Sequence, residues 1–209
     1  MLKTNALSHQ YSGTQRFDFP DINCTATETL LVLGQSGVGK TTLLHILAGI
    51  LQPQNGNVLI NEQSLYSMPS HKRDKFRGQN IGLVFQKPHF VQSLSAVENL
   101  LLTQKMAGKK IDKNEVVSLM EKLNISERGA AKTYEMSQGE QQRLSIARAL
   151  INKPQIILAD EPTSALDDQN CNEVIRLLEQ HAHEVQASLI VVTHDNRLKR
   201  LFQNFIELN

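Results

Sequence analysis

The chain has 209 residues, 40% hydrophobic and 21% charged, a profile that excludes a disordered or collagenous chain and suits one domain around one sizeable core. Lys and Arg number 22 against 21 Asp and Glu, so no global charge draws the protein to nucleic acid or anionic lipid, and any partner must be recognised locally. Cys24 and Cys171 stand far apart and outside any Cys-x-x-Cys or Cys/His spacing, which argues against a disulfide framework or structural zinc and fits a reduced, cytoplasmic setting.

Residues 1–19 are polar and lack the apolar centre of a signal peptide, and no apolar run is long enough to cross a bilayer. Work at a membrane would need another chain to do the spanning. Short β-branched or Leu-rich runs at 30–33, 58–60, 81–85, 156–159, 189–193 and 205–208 alternate with helical patterns, without repeats or low-complexity linkers. Several are apolar enough to be buried on both faces, as in a parallel sheet. After the first, Leu43, Leu44, Leu47, Ile50 and Leu51 form an apolar stripe at helical spacing. Residues 87–135 change character: helical stretches at 96–106 and 113–123, no convincing strand. This middle part reads as a helical subdomain inserted in an α/β core.

Gly34-Gln35-Ser36-Gly37-Val38-Gly39-Lys40-Thr41 matches the P-loop pattern, with a strand before it and a helix after it. The four defining letters alone arise by chance in roughly one chain in a hundred of this length, so the flanking context decides for ATP binding. Glycines let successive N–H groups meet phosphate oxygens, and the helix start adds partial positive charge. Lys40 is expected to reach the β- and γ-phosphates, Thr41 to ligate Mg2+, and Thr42 to donate to the α-phosphate. Ile156-Ile157-Leu158-Ala159-Asp160-Glu161 is an apolar strand ending in two carboxylates, alone more often a solvated strand end. Beside a P-loop, Asp160 is expected to hold Mg2+ and Glu161 to act on the attacking water.

With those motifs in place, nearly the whole chain resembles the nucleotide-binding subunit of an ABC transporter. Met136-Ser137-Gln138-Gly139-Glu140-Gln141-Gln142-Arg143 is similar to that family's signature, usually Leu-Ser-Gly-Gly-Gln, and precedes a helix over 144–151. Met136, Gln138 and Glu140 depart from the pattern; Ser137 and Gly139 keep the hydroxyl and backbone N–H that would meet a γ-phosphate. Glu140 is expected to place negative charge near that phosphate and weaken transition-state stabilisation. Gln86 resembles the Q-loop glutamine that reaches Mg2+ or the lytic water. Ser164-Ala165-Leu166-Asp167 resembles the D-loop, and His194, in Val191-Val192-Thr193-His194-Asp195, the switch histidine. Tyr11 stands where the family stacks an aromatic on adenine, with Phe17 its competitor.

The resemblance implies an α/β P-loop NTPase core with a mostly parallel sheet, an N-terminal antiparallel β part and an inserted α-helical subdomain at about 87–140, all in one domain over 1–209. It implies ATP and Mg2+ as cofactors and a head-to-tail homodimer, or a pairing with a related ATP-binding subunit, because P-loop and signature serve one site from opposite protomers. It further implies a membrane permease docked near Gln86, Lys87, Phe90 and Val91, and a peripheral place on the inner face of the cell membrane. Residues 78–86 and 94–100 look most like the branch containing lipoprotein-release and macrolide-export ATPases. With only a short stretch after His194, no appended regulatory domain is expected.

A soluble ABC-type ATPase of DNA repair or the ribosome is the main alternative. It would need a long coiled coil between the motifs or a second nucleotide unit, and neither is present. A P-loop kinase or GTPase accounts for Lys40 and Asp160 but not for Ser137-Gln138-Gly139, Asp167 and His194 in order. His181-Ala182-His183 does not share a helix face and reads as solvated. Lys72-Arg73-Asp74-Lys75-Phe76-Arg77 reads as a solvated helix face rather than a nucleic-acid site.

Overall fold

The computed structural model describes residues 1–11, 13, 15–163 and 168–208, the last stretch without the side chains of 168–170. In chain order it contains β1 (Leu2–Gln10), β2 (Arg16–Asp18), β3 (Asn23–Cys24), β4 (Thr29–Gly34), α1 (Lys40–Leu47), β5 (Asn55–Ile60), β6 (Gln63–Ser64), α2 (Ser70–Asn80) and β7 (Ile81–Val84). There follow α3 (Ala96–Met106), α4 (Lys113–Lys122), α5 (Gln138–Leu150), β8 (Ile156–Asp160), α6 (Asp168–Glu184), β9 (Ser188–Thr193) and β10 (Phe205–Leu208).

Two sheets carry the fold. The order β10-β4-β9-β8-β7 is parallel throughout, with Leu31 opposite Val191 and Leu158 opposite Ile190. Alternation sends its residues into two separate cores, which is why these strands read as unbroken apolar runs. Leu30, Val32, Leu158, Ile190 and Val192 face one core with Leu43, Leu44, Ile46 and Leu47 of α1. Leu31, Leu33, Ile157, Ala159, Leu189 and Val191 face the other, with α3, α4, α5 and α6. Full burial of each such side chain is worth about 1.5–3 kcal/mol. The second sheet is antiparallel, β2-β1-β5-β6 with β3 on β1, and Leu2 lies opposite Ile60. Val58 and Ile60 close the α1 core from that side.

The expected strands are all present, within a residue or so at most ends. β5 instead begins at Asn55, earlier than its β-branched run, because β1 supplies the pairing. β1 itself, polar in sequence, escapes a reading based on apolar runs. The helix after the P-loop stops at Leu47, so Ile50 is half exposed and does not belong to the packing stripe. No strand falls between 87 and 135; the one β-bridge there joins Ser95 to Lys132. Sequence caps explain the helix starts: Ser95 and Glu98 form a reciprocal capping box on α3, and Asp112 accepts from Glu115 N on α4. The basic run 72–77 lies on α2, which buries none of its residues. His181 is a correction: it is buried, 4% exposed, with Nδ1 3.1 Å from Glu184 Oε2, whereas His183 is exposed as expected.

Candidate phosphate and hydrolysis site

β4 ends at Gly34 and α1 starts at Lys40, and the turn between them needs positive φ at Gly37 (88°) and Gly39 (95°). At Gly39 a Cβ would also stand 2.6 Å from the Phe17 ring, so conformation and space both demand glycine. No side chain caps α1. Its first-turn N–H groups therefore face the loop, an arrangement suited to an anion. Lys40 is nearly buried; its Nζ donates to Gly34 O and Gln35 O, both at 2.8 Å, and lies 3.8 Å from Glu161 Oε1. Ser36 and Val38 complete the loop, and Thr42, buried on α1, bonds Tyr11 Oη through Oγ1 at 3.2 Å. Tyr11 is half exposed, and Phe17 meets it edge-on at 6.3 Å while covering Gly39. The two aromatics form one patch beside the loop.

The parallel pairing of β8 with β9 brings the carboxylates to this loop. Thr41 Oγ1 donates to Asp160 Oδ2 at 3.2 Å. Asp160 Oδ1 is buried with no hydrogen-bond partner, and an orphaned carboxylate oxygen beside a threonine hydroxyl is a donor set that fits Mg2+. Burial pushes the Asp160 pKa up, with the Glu161 charge adding to it and the Thr41 bond and Lys40 opposing. A carboxyl whose folded pKa exceeds its unfolded value makes the folded state hold more protons, so its contribution to stability is lost as pH rises through that interval. Asp160→Asn is therefore expected to raise the melting temperature at neutral pH, without nucleotide or Mg2+. Thermal melts across acid and neutral pH check it: the gap between variant and wild type should widen as pH rises.

Glu161 takes a left-handed backbone, φ 47°, costly for a non-glycine residue. Its N–H donates to Val192 O at 2.8 Å, and the turn delivers its carboxylate to the end of β9. There Thr193 Oγ1 donates to Oε2 at 2.7 Å, His194 N donates to Oε1 at 3.1 Å, and His194 Nδ1 lies 2.8 Å from Oε1. Thr193, fully buried, also accepts from Asp195 N at 3.0 Å, which leaves its one proton for Glu161. Sequence reading missed Thr193, because a β-branched residue closing a strand looks purely structural; its position next to His194 was the available signal. Asp195 pairs with Arg197, which holds its pKa down.

Lys40, Thr41, Asp160, Glu161 and His194 thus meet through direct contacts. Ser137, Gln138 and Gly139 stand at the start of α5 and make no hydrogen bond to that group among the described residues. Ser137 is the N-cap: its Oγ accepts from Glu140 N at 3.3 Å, and Glu140 Oε2 accepts from Ser137 N at 2.7 Å. Gln138 and Gly139 are exposed, and open space surrounds Gly139. Glu140 Oε1 accepts from Arg128 Nε at 2.7 Å, and this pair with the cap holds the Glu140 pKa down. The Glu140 charge is thus shared between Arg128 and the helix start. Gln142 Nε2 donates to Pro162 O at 3.1 Å and ties α5 to the turn after Glu161.

Gln86 is exposed just past β7, and the loop after it is pinned from both sides. Asn99 of α3 exchanges bonds with Val91, accepting from its N at 2.9 Å and donating to its O at 3.2 Å. Arg148 of α5 lays its guanidinium 4.9 Å over the Phe90 ring and donates to His89 O. Ser164, Ala165, Leu166 and Asp167 lie outside the described residues.

Comparison with known proteins agrees with this geometry. Residues 19–164 match the family model described as ABC transporter. The chain is 35% identical to the lipoprotein-releasing system ATP-binding protein LolD of Xanthomonas euvesicatoria pv. vesicatoria (strain 85-10), over all of this chain and 88% of the relative. It is 38% identical to LolD of Syntrophotalea carbinolica, over 93% and 88%. Among solved structures, a dimeric post-hydrolysis state of the ATP-binding cassette MJ0796 bound to ADP and Pi superposes with a TM-score of 0.88 at 29% identity, covering 100% of this chain and 94% of that one. Clostridium perfringens cbiO1, part of the ABC transporter complex cbiONQ, gives 0.87 at 26% identity, covering 100% and 84%.

Proposed function

Because this chain belongs to the ABC transporter family and has the fold of its ATP-binding cassettes, we propose that ATP hydrolysis at the 34–41 loop powers a membrane transporter through closure of a dimer. The observation that carries the reading is the convergence of Lys40, Asp160, Glu161 and His194 on one loop. Lys40 and the α1 N–H groups bind the β- and γ-phosphates. Thr41 and Asp160 would hold Mg2+, with Gln86 as a further oxygen donor to it. Bound there, the ion supplies charge neutralisation at the phosphates. Glu161 takes a proton as a water oxygen attacks the γ-phosphorus and the bond to the bridging oxygen breaks, and His194 contacts the γ-phosphate. Tyr11 stacks on adenine.

Ser137, Gln138 and Gly139 sit at a capped helix start whose exposed face has no partner in its own phosphate site, so a second copy would bring them to it, with Asp167 crossing the seam. The 87–140 segment then acts as the movable subdomain of a single 1–209 cassette. The chain lacks any helix long and apolar enough to cross a membrane among its described residues. Coupling therefore goes through a permease docked beside Gln86–Val91, with the cassette on the inner face of the membrane. The LolD relatives favour export-type mechanics over DNA repair or ribosomal work. Nucleotide selectivity tests the reading: the purified chain is expected to hydrolyse ATP in strong preference to GTP, and a clear preference for GTP or stoichiometric phosphoryl transfer to a small molecule would remove it.

A further inference from the structure

A carboxylate that takes a proton from water must be held in one orientation, and a glutamate side chain is too flexible to hold itself. The sheet supplies the support. Asp160 of β8 pairs with Val192 of β9, so the next residue of each strand, Glu161 and Thr193, stand side by side. Thr193 is also paired with Leu33 of β4, one residue before the 34–41 loop. It is fully buried on a strand flanked by β4 on one side and β8 on the other, which leaves its backbone little freedom to shift.

Its hydroxyl is aimed as well. Asp195 N donates to Thr193 Oγ1 at 3.0 Å, and Oγ1 in turn donates to Glu161 Oε2 at 2.7 Å. A hydroxyl has one proton to give, and a charged acceptor makes that bond short and strong. The other side-chain and backbone contacts of the carboxylate fall on Oε1: His194 N at 3.1 Å, His194 Nδ1 at 2.8 Å and Lys40 Nζ at 3.8 Å. Lys40 and the His194 ring are the two groups given to the phosphates above. Thr193 is the only partner of Oε2 among the described residues, and holding it calls on neither of them.

We infer that Thr193 is a positioning residue for hydrolysis: its buried hydroxyl fixes the Glu161 carboxylate in the orientation from which it takes a proton from water. The inference rests on the role proposed for Glu161 and adds what holds that base in place. Thr193 is given no contact with nucleotide and acts through Glu161.

Thr193→Val keeps the β-branched shape and removes the hydroxyl. In steady-state assays with ATP and Mg2+ it is expected to lower kcat about ten- to a hundredfold, with KM for ATP within about twofold of wild type. The ATP-induced shift in melting temperature should persist. Thr193→Ser keeps the hydroxyl and is expected to stay within about threefold of wild-type kcat. Coupling gives the readout that a merely structural role would not move. In single-turnover measurements Thr193→Val should cost almost nothing further once Glu161→Gln has removed the base, because residues that act as a unit are not additive. A rise in KM in place of the loss in kcat, Thr193→Ser as slow as Thr193→Val, or the same fold-loss with Glu161→Gln as without it would overturn the inference. Thr193→Ala carries the same expectations and decides the matter if Thr193→Val is recovered unfolded. The two readings separate: wild-type turnover in Glu161→Gln overturns the role of Glu161 and this inference with it, whereas a slow Glu161→Gln beside a fast Thr193→Val overturns this inference alone.

Discussion

Glu161→Gln is expected to lower ATP turnover about a thousandfold while ATP binding persists. The amide keeps the size of the carboxylate and one oxygen able to accept from Thr193, while its NH2 replaces the oxygen that accepts from His194 N and gives up that single bond. What disappears is the capacity to take a proton from water. With binding intact and bond cleavage blocked, the ATP-filled variant should accumulate as a dimer, whereas wild type returns to monomer as nucleotide is consumed. Single-turnover assays with size-exclusion chromatography in ATP and Mg2+ read both effects. Unchanged turnover would sink the role given to Glu161. Slow turnover without dimer accumulation would leave that role and remove the dimer.

Lys40→Ala should remove nucleotide binding itself. The ammonium donates to the Gly34 and Gln35 carbonyls and lies 3.8 Å from Glu161, so it concentrates positive charge where the phosphates would enter. A preorganised charge of this kind contributes about a hundred- to a thousandfold in rate, and its loss also leaves the Glu161 carboxylate short of a counter-charge. Wild-type protein at an ATP concentration a hundred times its dissociation constant gains about 2.7 kcal/mol of stability. The variant should show almost no such gain, measured as the ATP-induced shift in melting temperature. An equal shift in the two proteins would show that the phosphates bind elsewhere.

Much of this was readable because local rules and tertiary outcome coincide. The P-loop stands between an apolar strand and an amphipathic helix, and both formed where those patterns predict. Ser95 and Ser137 announce helix starts through their spacing to Glu98 and Glu140. The polar β1 was invisible as a strand because pairing with β5 sustains it, and neither strand betrays that pairing alone. His181 looked solvated because helix periodicity cannot say what packs on a given face; α6 turns it inward, onto Glu184. The pairing of Glu140 with Arg128 was out of reach for a similar reason, since the two stand 12 apart in number and meet only where the turn at 126–128 comes against the start of α5.

What the sequence by itself determined is the chemistry on offer: a glycine turn suited to phosphate, a strand ending in two carboxylates, and a histidine closing another. These are short-range facts, set by φ angles, caps and periodicity. Only the tertiary structure decided which of them meet. Parallel registration of β4, β9 and β8 places Gly34, Thr193 and Asp160 at one sheet edge, across more than a hundred residues of chain. The same packing gathers Lys75, Lys105 and Arg148 around one groove. Such juxtapositions come from burying two faces of one sheet at once, a constraint no local window of residues contains.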